Sequence, residues 1–134
     1  TLVHDVLVVM GLFILISLVV GSVVNSIFIV GILTVIGYSV NDTIVIFDRI
    51  RENLIVNKST EFINVVNMSV RESVTRSIGT SVTTSIVILS MLLFGGQSLR
   101  DFLIVLLLGV IIGTYSSIFV ASNLLLTWKY GLRK

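Results

Sequence analysis

The sequence contains no cysteine and no proline, and only 12% of its 134 residues are charged. The lack of cysteine excludes disulfide bonds, and the lack of proline means that no helix is kinked by a proline ring. Soluble globular domains carry about 25% charged residues, so a chain with half that share has too few to cover itself with a polar shell. The scarcity of charge therefore predicts an integral membrane protein.

Hydrophobic residues make up 55% of the chain, and its mean hydropathy is +1.12. They form four apolar runs, at residues 2–20, 27–47, 78–94 and 102–128. A helix needs about 20 residues to cross a bilayer. The third run is short, so we expect its helix to begin earlier, from about residue 60. The predicted fold is an all-α polytopic transmembrane bundle with four spans, in which residues 1–134 form one transmembrane domain.

The basic residues cluster on one side of this predicted bundle. The positive-inside rule places such residues in the cytoplasm, which predicts a cytoplasmic connector at residues 49–77 and both ends of the chain inside. Because the basic residues lie at the ends of spans and not on one aromatic-rich face, no nucleic acid partner is predicted. Eight of the nine lie in the connector or the tail: Arg49, Arg51, Lys58, Arg71, Arg76, Lys129, Arg133 and Lys134.

The second run carries a carboxylate, Asp42, seven residues before Arg49. Seven helical residues span about 10 Å, which places Asp42 below the headgroups. An unpaired ionised carboxylate is costly in hydrocarbon, so such a residue takes up a proton or finds a partner. We predict that Asp42 is a proton-responsive site. The alternative is a structural carboxylate, permanently hydrogen-bonded to asparagine or serine neighbours.

Polar residues accompany Asp42 on two predicted helices. Tyr38 and Asn41 share its face of the second span at helical spacing. Counted from the outer ends of their spans, Asp42 and Arg76 lie at depths of about 22 Å and about 27 Å, a difference that an arginine side chain can bridge. The predicted Asp42–Arg76 pair would couple proton passage to helix movement, unless Arg76 extends to the cytoplasmic interface instead. The polar stripe on the third span is Ser73, Arg76, Ser77, Thr80, Ser81 and Thr84.

The fourth run contains small residues at the spacing that lets helices pack closely. Gly109 and Gly113 form a GxxxG motif that Ser117 continues, and such stripes allow another helix to approach. The neighbour is either in this chain or in another subunit. At the start of the first run, His4 and Asp5 are interpreted as an interfacial polar pair, with a proton relay through His4 as the alternative.

No enzymatic activity is predicted. An intramembrane aspartyl protease needs two carboxylates in its spans, and only Asp42 is predicted to lie deep. The single histidine sits at a membrane edge, where it is no base for a serine protease. One histidine is also too few ligands for a metal site, and no phosphate-binding glycine loop occurs. We therefore predict no metal and no cofactor.

The segment IGYSVNDTIVIFDRIREN, residues 36–53, resembles the signature of the SecF proteins of the SecD/SecF family. Four further segments agree in order along the chain: VHDV at 3–6, TRSIGTSVTT at 75–84, LLFGGQSLRDF at 92–102 and GVIIGTYSSIFVAS at 109–122. The resemblance covers nearly all 134 residues. It implies membership of the RND superfamily, whose SecF-like proteins have six spans and a large extracytoplasmic domain between the first two. The chain, which begins without methionine, would then be a fragment holding spans three to six.

The resemblance also implies a function and partners. It implies that Asp42 and Arg76 lie on a proton path, and that the proton-motive force drives assistance to protein export in the bacterial cytoplasmic membrane. SecD would supply the other half of a pseudo-twofold unit. The further implied partners are the Sec translocation channel, membrane lipid, and exported polypeptides bound through a missing extracytoplasmic domain. The alternatives are a non-transporting scaffold of the translocation complex and an RND-type exporter of small molecules.

Overall fold

The computed structural model describes residues 1–131, so Arg133 and Lys134 of the predicted basic tail lie outside the described residues. Within residues 1–131 there is no β-strand, and four helical stretches are long and apolar enough to cross a membrane. The predicted all-α bundle with four spans is confirmed. Its α-helices are α1 (Leu2–Val20), α2 (Ser26–Val56), α3 (Phe62–Phe94), α4 (Arg100–Tyr115) and α5 (Ser122–Gly131).

A short turn reverses the chain between α1 and α2. Gly21 takes a left-handed conformation with φ of 75°, and its N–H donates to the carbonyl of Ser17 at 2.8 Å. Glycine adopts this conformation without the penalty that a Cβ would impose, which ends α1 sharply. Asn25 then caps α2, since its Oδ1 accepts a hydrogen bond from the N–H of Phe28 at 3.1 Å. The short connection makes α1 and α2 antiparallel neighbours.

Residues 57–61 join α2 to α3, and the end of the bundle where they lie is called the connector end below. Both helices extend beyond their apolar runs, and their polar extensions bond to each other. Asn53 of α2 donates to Oγ of Ser69 on α3 at 2.9 Å, and Arg49 donates to Glu72 at 2.8 Å. The predicted polar connector is therefore helical apart from these few residues.

The fourth membrane-spanning stretch, Gln97–Gly131, is longer than its apolar run. It begins with a 3₁₀ turn at Gln97–Leu99, continues as α4, and widens into a π-helical segment at Ser116–Ala121 before α5. A π-helical turn accommodates an extra residue, and such turns occur often at functional sites. This segment could not be predicted from the sequence, because no helix-period pattern distinguishes it from an α-helix.

The buried residues of α2 form one seam along the middle of the bundle. The seam packs most closely against α4, where a Cβ on Gly109 would overlap the γ-carbons of Val35 and a Cβ on Gly113 would lie 3.5 Å from Cβ of Ser39. The neighbour of the GxxxG motif, which the sequence left open, is thus α2 of the same chain. Asp42 lies near the centre of the seam, whose residues recur every three or four positions: Phe28, Gly31, Val35, Ser39, Asp42, Ile46, Ile50 and Asn53.

Candidate functional site

Asp42 is buried where α2, α3 and the π-helical segment meet. Its side chain accepts two hydrogen bonds, from Ser77 Oγ to Oδ1 at 2.9 Å and from Ser117 Oγ to Oδ2 at 2.7 Å. The residue is 7% exposed, and both serines are almost fully buried. The two donors are neutral hydroxyls from different helices, so the carboxylate ties three parts of the bundle together.

Four serines on α3 form a ladder that faces α2 and the fourth span. They recur at every fourth position, which keeps them on one side of a helix. Ser77 bonds to Asp42, and Ser81 bonds to Tyr38 of α2 at 3.1 Å and to Thr114 of α4. All four are buried: Ser69, Ser73, Ser77 and Ser81. Their hydroxyls continue a polar line from the connector end to the middle of the bundle.

The predicted pair between Asp42 and Arg76 is not formed. Arg76 is exposed, and among residues 1–131 no carboxylate oxygen lies within 4.0 Å of its guanidinium. The reason is the direction of the α3 face: the serine ladder points at α2, and Arg76 lies beside it, about 100° around the helix from Ser77. Arg76 instead lines a polar cavity of about 480 Å³ that also borders Ser73, one turn from Ser77.

Apart from Val45, the rest of that cavity is lined by charged groups of α2 and α3. Arg49 donates to Glu52 at 2.7 Å and to Glu72 at 2.8 Å, and Asn53 also donates to Glu72 at 3.1 Å. Glu72 belongs to the polar half of α3, outside the apolar run. Its hydrogen bonds from Asn53 and then Arg49 hold the pKa of Glu72 below its usual value. These bonds hold together the charged residues that line the cavity.

Three of the predicted supporting residues lie away from Asp42. Asn41 is exposed, although it precedes Asp42 in the chain. Thr80 is exposed and Thr84 is half-buried, and their hydroxyls bond back to α3 carbonyls, that of Thr80 to Ser77 at 3.0 Å and that of Thr84 to Thr80 at 2.8 Å. Tyr38, by contrast, reaches the polar cluster by way of Ser81. Polar residues within a helix readily satisfy themselves on their own backbone, so a polar stripe need not point inward.

The interpretation of Asp5 as an interfacial residue is wrong. Asp5 is 1% exposed and accepts a hydrogen bond from Ser39, which lies on α2 one turn further from the connector end than Asp42. The bundle therefore encloses two carboxylates, not one. Within residues 1–131 the two share no hydrogen-bond donor, since Ser39 bonds to Asp5 alone. The missed signal is the spacing of Asp5, Val9 and Phe13, which places Asp5 on the buried face of α1.

Together, these features define a multi-pass helical membrane protein whose bundle encloses carboxylates held by hydroxyl groups. Residues 1–131 match the family described as protein export membrane protein SecD/SecF, C-terminal. The chain belongs to this family.

Relatives named protein translocase subunit SecF are similar to the chain over most of its length. That of Thermobaculum terrenum is 45% identical over 94% of the chain, and that of Desulfurispirillum indicum is 49% identical over 96%. The chain spans about 40% of the length of each of these relatives.

Two solved structures have a similar fold. A crystal structure of SecDF in a super-membrane-facing form matches with a TM-score of 0.88 and 39% identity, over 98% of this chain and 17% of the other. A crystal structure of SecDF from Thermus thermophilus matches with a TM-score of 0.86 and 40% identity, over 96% of this chain and 17% of the other. At these identities the similarity extends to the sequence as well as the fold.

Proposed function

We propose that this chain is the membrane part of a SecF-type subunit that uses the proton-motive force to assist protein export, with Asp42 as the group that takes up and releases the proton. The proposal rests on the surroundings of Asp42 in the bundle. It is a buried carboxylate whose partners are two neutral hydroxyls from two other helices. Ionisable residues inside membrane bundles commonly mark proton relays.

The two hydroxyl partners suit both protonation states of Asp42. A serine hydroxyl donates to a carboxylate and accepts from a protonated carboxyl group, so Ser77 and Ser117 serve either form. When Asp42 takes up a proton, one of these bonds reverses direction and the buried charge disappears. Because the bonds hold α2 to α3 and to the π-helical segment, protonation changes the forces between these helices.

The polar cavity supplies a route for the proton. Ser73 lines the cavity and lies one turn from Ser77, which bonds to Asp42. Water in the cavity would exchange protons with Asp42 along these serines. Arg76 lies in the cavity wall, where its positive charge stabilises the ionised form of Asp42 once the two approach. Each proton that moves down 100 mV supplies about 2.3 kcal/mol, enough to shift a two-state helix rearrangement.

The partners and orientation follow from the same proposal. The similar solved structures are of SecDF, and SecD would pack against the bundle as the second half of a pseudo-twofold unit. The connector end would face the bacterial cytoplasm. The Sec translocation channel and exported polypeptides would be met by other parts of the full-length protein. Lipid would cover the remaining apolar surface, which includes Leu18, Val19, Leu93 and Phe94.

The test is Asp42→Asn in the full-length protein with its partner, assayed as protein export into membrane vesicles with and without a proton gradient. Asparagine has nearly the same shape and still bonds to serine, so the bundle should assemble. We expect the gradient-dependent part of export to be lost and the rest to remain. Asp101→Asn, near the opposite end of the bundle, is the control. Undiminished gradient-dependent export by Asp42→Asn would overturn the proposal.

One observation favours a second candidate, a non-transporting scaffold of the translocation complex. Both oxygens of Asp42 already have hydrogen-bond donors, as expected for a purely structural carboxylate. This candidate predicts that Asp42→Asn lowers the yield of assembled complex, while complexes that do form keep full gradient-dependent export. The relatives are named translocase subunits, which favours both candidates over an RND-type exporter of small molecules.

A further inference from the structure

The second buried carboxylate, Asp5, has no role in the mechanism above. It lies on the face of α1 that also buries Val9 and Phe13, and it is 1% exposed. Moving a carboxylate from water into such surroundings is strongly unfavourable unless a charge or several hydrogen bonds compensate. Within the described part of the chain, the carboxylate of Asp5 has two polar contacts, so these contacts decide whether it carries a charge or a proton.

The first contact is the hydroxyl of Ser39, which donates to Oδ2 of Asp5. The second is the ring of His4, whose Nδ1 lies 3.1 Å from Oδ1. Within residues 1–131 no lysine or arginine nitrogen lies within 4.0 Å of Asp5. Among residues 1–131, the side chain that can offer Asp5 a positive charge within 4.0 Å is therefore a protonated His4, and histidine gains and loses its charge near neutral pH.

His4 also connects Asp5 to the surface of the bundle. Its side chain is 45% exposed, while that of Asp5 is 1% exposed. A proton on Nδ1 of His4 can pass to Oδ1 of Asp5, which leaves a neutral imidazole and a neutral carboxyl group. The reverse transfer restores the imidazolium and the carboxylate. The hydroxyl of Ser39 remains bonded to Oδ2 in both states.

Asp5 bonds to a residue that lies one helical turn from Asp42 on α2. Its partner Ser39 and Asp42 lie three residues apart on the same buried seam of α2, a rise of about 4.5 Å along the axis. Opposite Ser39, α4 presents Gly113, which has no side chain. The titratable group in contact with Asp5 is His4 of α1, and Asp42 is the carboxylate one turn from Ser39 on the buried seam of α2. Tyr38, which precedes Ser39 on α2, bonds to Ser81 of α3 instead. Two nearby carboxylates in a buried site disfavour each other's ionisation.

We propose that Asp5 is a second proton-binding site, which His4 loads and unloads, and that Asp5 and Asp42 titrate as a coupled pair. This inference rests on the proposed proton-coupled function and adds a second carboxyl group to it. The uptake of a proton by one carboxylate then depends on whether the other is protonated. In this way proton exchange at His4 is linked to the polar cavity beside Arg76.

Infrared difference spectroscopy tests the proposal directly, because a protonated carboxyl group has a C=O band that a carboxylate lacks. The full-length protein with its partner is titrated in membranes, and the band is compared among the wild type, Asp5→Asn and Asp42→Asn. We expect Asp5→Asn to remove one pH-dependent band and to shift the titration midpoint of the remaining one. His4→Gln should shift the midpoint of the Asp5 band. Asp101→Asn is the control.

The result separates the inference from the proposed function. A spectrum that is identical in the wild type and Asp5→Asn at every pH would overturn the inference, whatever Asp42→Asn does to export. Retained gradient-dependent export in Asp42→Asn would overturn the proposed function, even if Asp5 titrates. A band assigned to Asp5 whose midpoint is the same in Asp42→Asn would overturn the coupling.

Discussion

Ser77 on α3 donates a hydrogen bond of 2.9 Å to Oδ1 of Asp42 on α2. Ser117, from the π-helical segment, donates to the other oxygen at 2.7 Å. A change in the charge of this one carboxylate therefore acts on three parts of the bundle at once. The same arrangement leaves Arg76 outside the site, because it is Ser77 that occupies the position facing α2.

Ser77→Ala should destabilise the bundle. The substitution removes one of two donors to a buried carboxylate, and a hydrogen bond to a charged group contributes about 1.5–3 kcal/mol. Thermal unfolding of the purified full-length protein with its partner measures the effect. The control is Ser90→Ala, since Ser90 is exposed and bonds only to its own helix at Ile86. Equal unfolding temperatures for the two variants would contradict the prediction.

Ser116 and Ser117 offer a matched pair of substitutions in the π-helical segment. Both are fully buried, but among the described residues Oγ of Ser116 has no hydrogen-bond partner, whereas Ser117 bonds to Asp42. Ser117→Ala should therefore reduce gradient-dependent export. Ser116→Ala should leave export unchanged and should not lower stability, because it removes an unsatisfied polar atom. Equal export by the two variants would show that the Ser117 contact is not used.

Gly109→Ala should destabilise the contact between α2 and α4. Its Cβ would lie 2.7 Å from Cγ1 of Val35 and closer still to Cγ2, so one helix must shift. Overpacking of this kind costs about 1–3 kcal/mol, which thermal unfolding would detect. The double variant Gly109→Ala with Val35→Ala should recover much of the loss. Gly79→Ala is the control, as nothing lies within 4 Å of a Cβ there. A loss that Val35→Ala does not relieve would argue against this contact.

Arg76→Gln should separate function from stability. Arg76 is exposed in the cavity and bonds to no described carboxylate, so its loss should leave the unfolding temperature nearly unchanged. The rate of gradient-dependent export should fall by roughly tenfold, which corresponds to an increase of about 1.4 kcal/mol in the activation free energy. Arg71→Gln, another exposed arginine of α3 outside the cavity, is the control. Equal export by the two variants would rule out a specific role for Arg76.

Several features could be predicted from the sequence because they depend on local composition. A helix crosses a bilayer if enough consecutive residues are apolar, so the four runs indicated the spans directly. A carboxylate in such a run is conspicuous whatever surrounds it, and Asp42 stood out for that reason. The stripe of Gly109 and Gly113 likewise indicated a close helix contact, since only small residues permit one.

The partners of these residues could not be predicted in the same way. Helical spacing tells which side chains share a face, but not which neighbouring helix that face meets. Thr80 and Thr84 belong to the polar stripe and yet bond to their own backbone, whereas Ser77 in the same stripe reaches Asp42. The burial of Asp5 was not predicted, because the depth of a residue near the start of an apolar run depends on the register in which α1 packs against α2.

The sequence by itself determined a four-span helical membrane protein with a carboxylate at Asp42, because apolar length and a buried charge are properties of a segment taken alone. Only the tertiary structure decided that Ser77 and Ser117 hold Asp42, that Arg76 stands apart in the cavity, and that Asp5 joins the buried polar residues. These relationships depend on the register and rotation of helices packed against one another. That packing is determined by contacts among many residues that are distant in the chain, and the sequence of a single segment does not determine it.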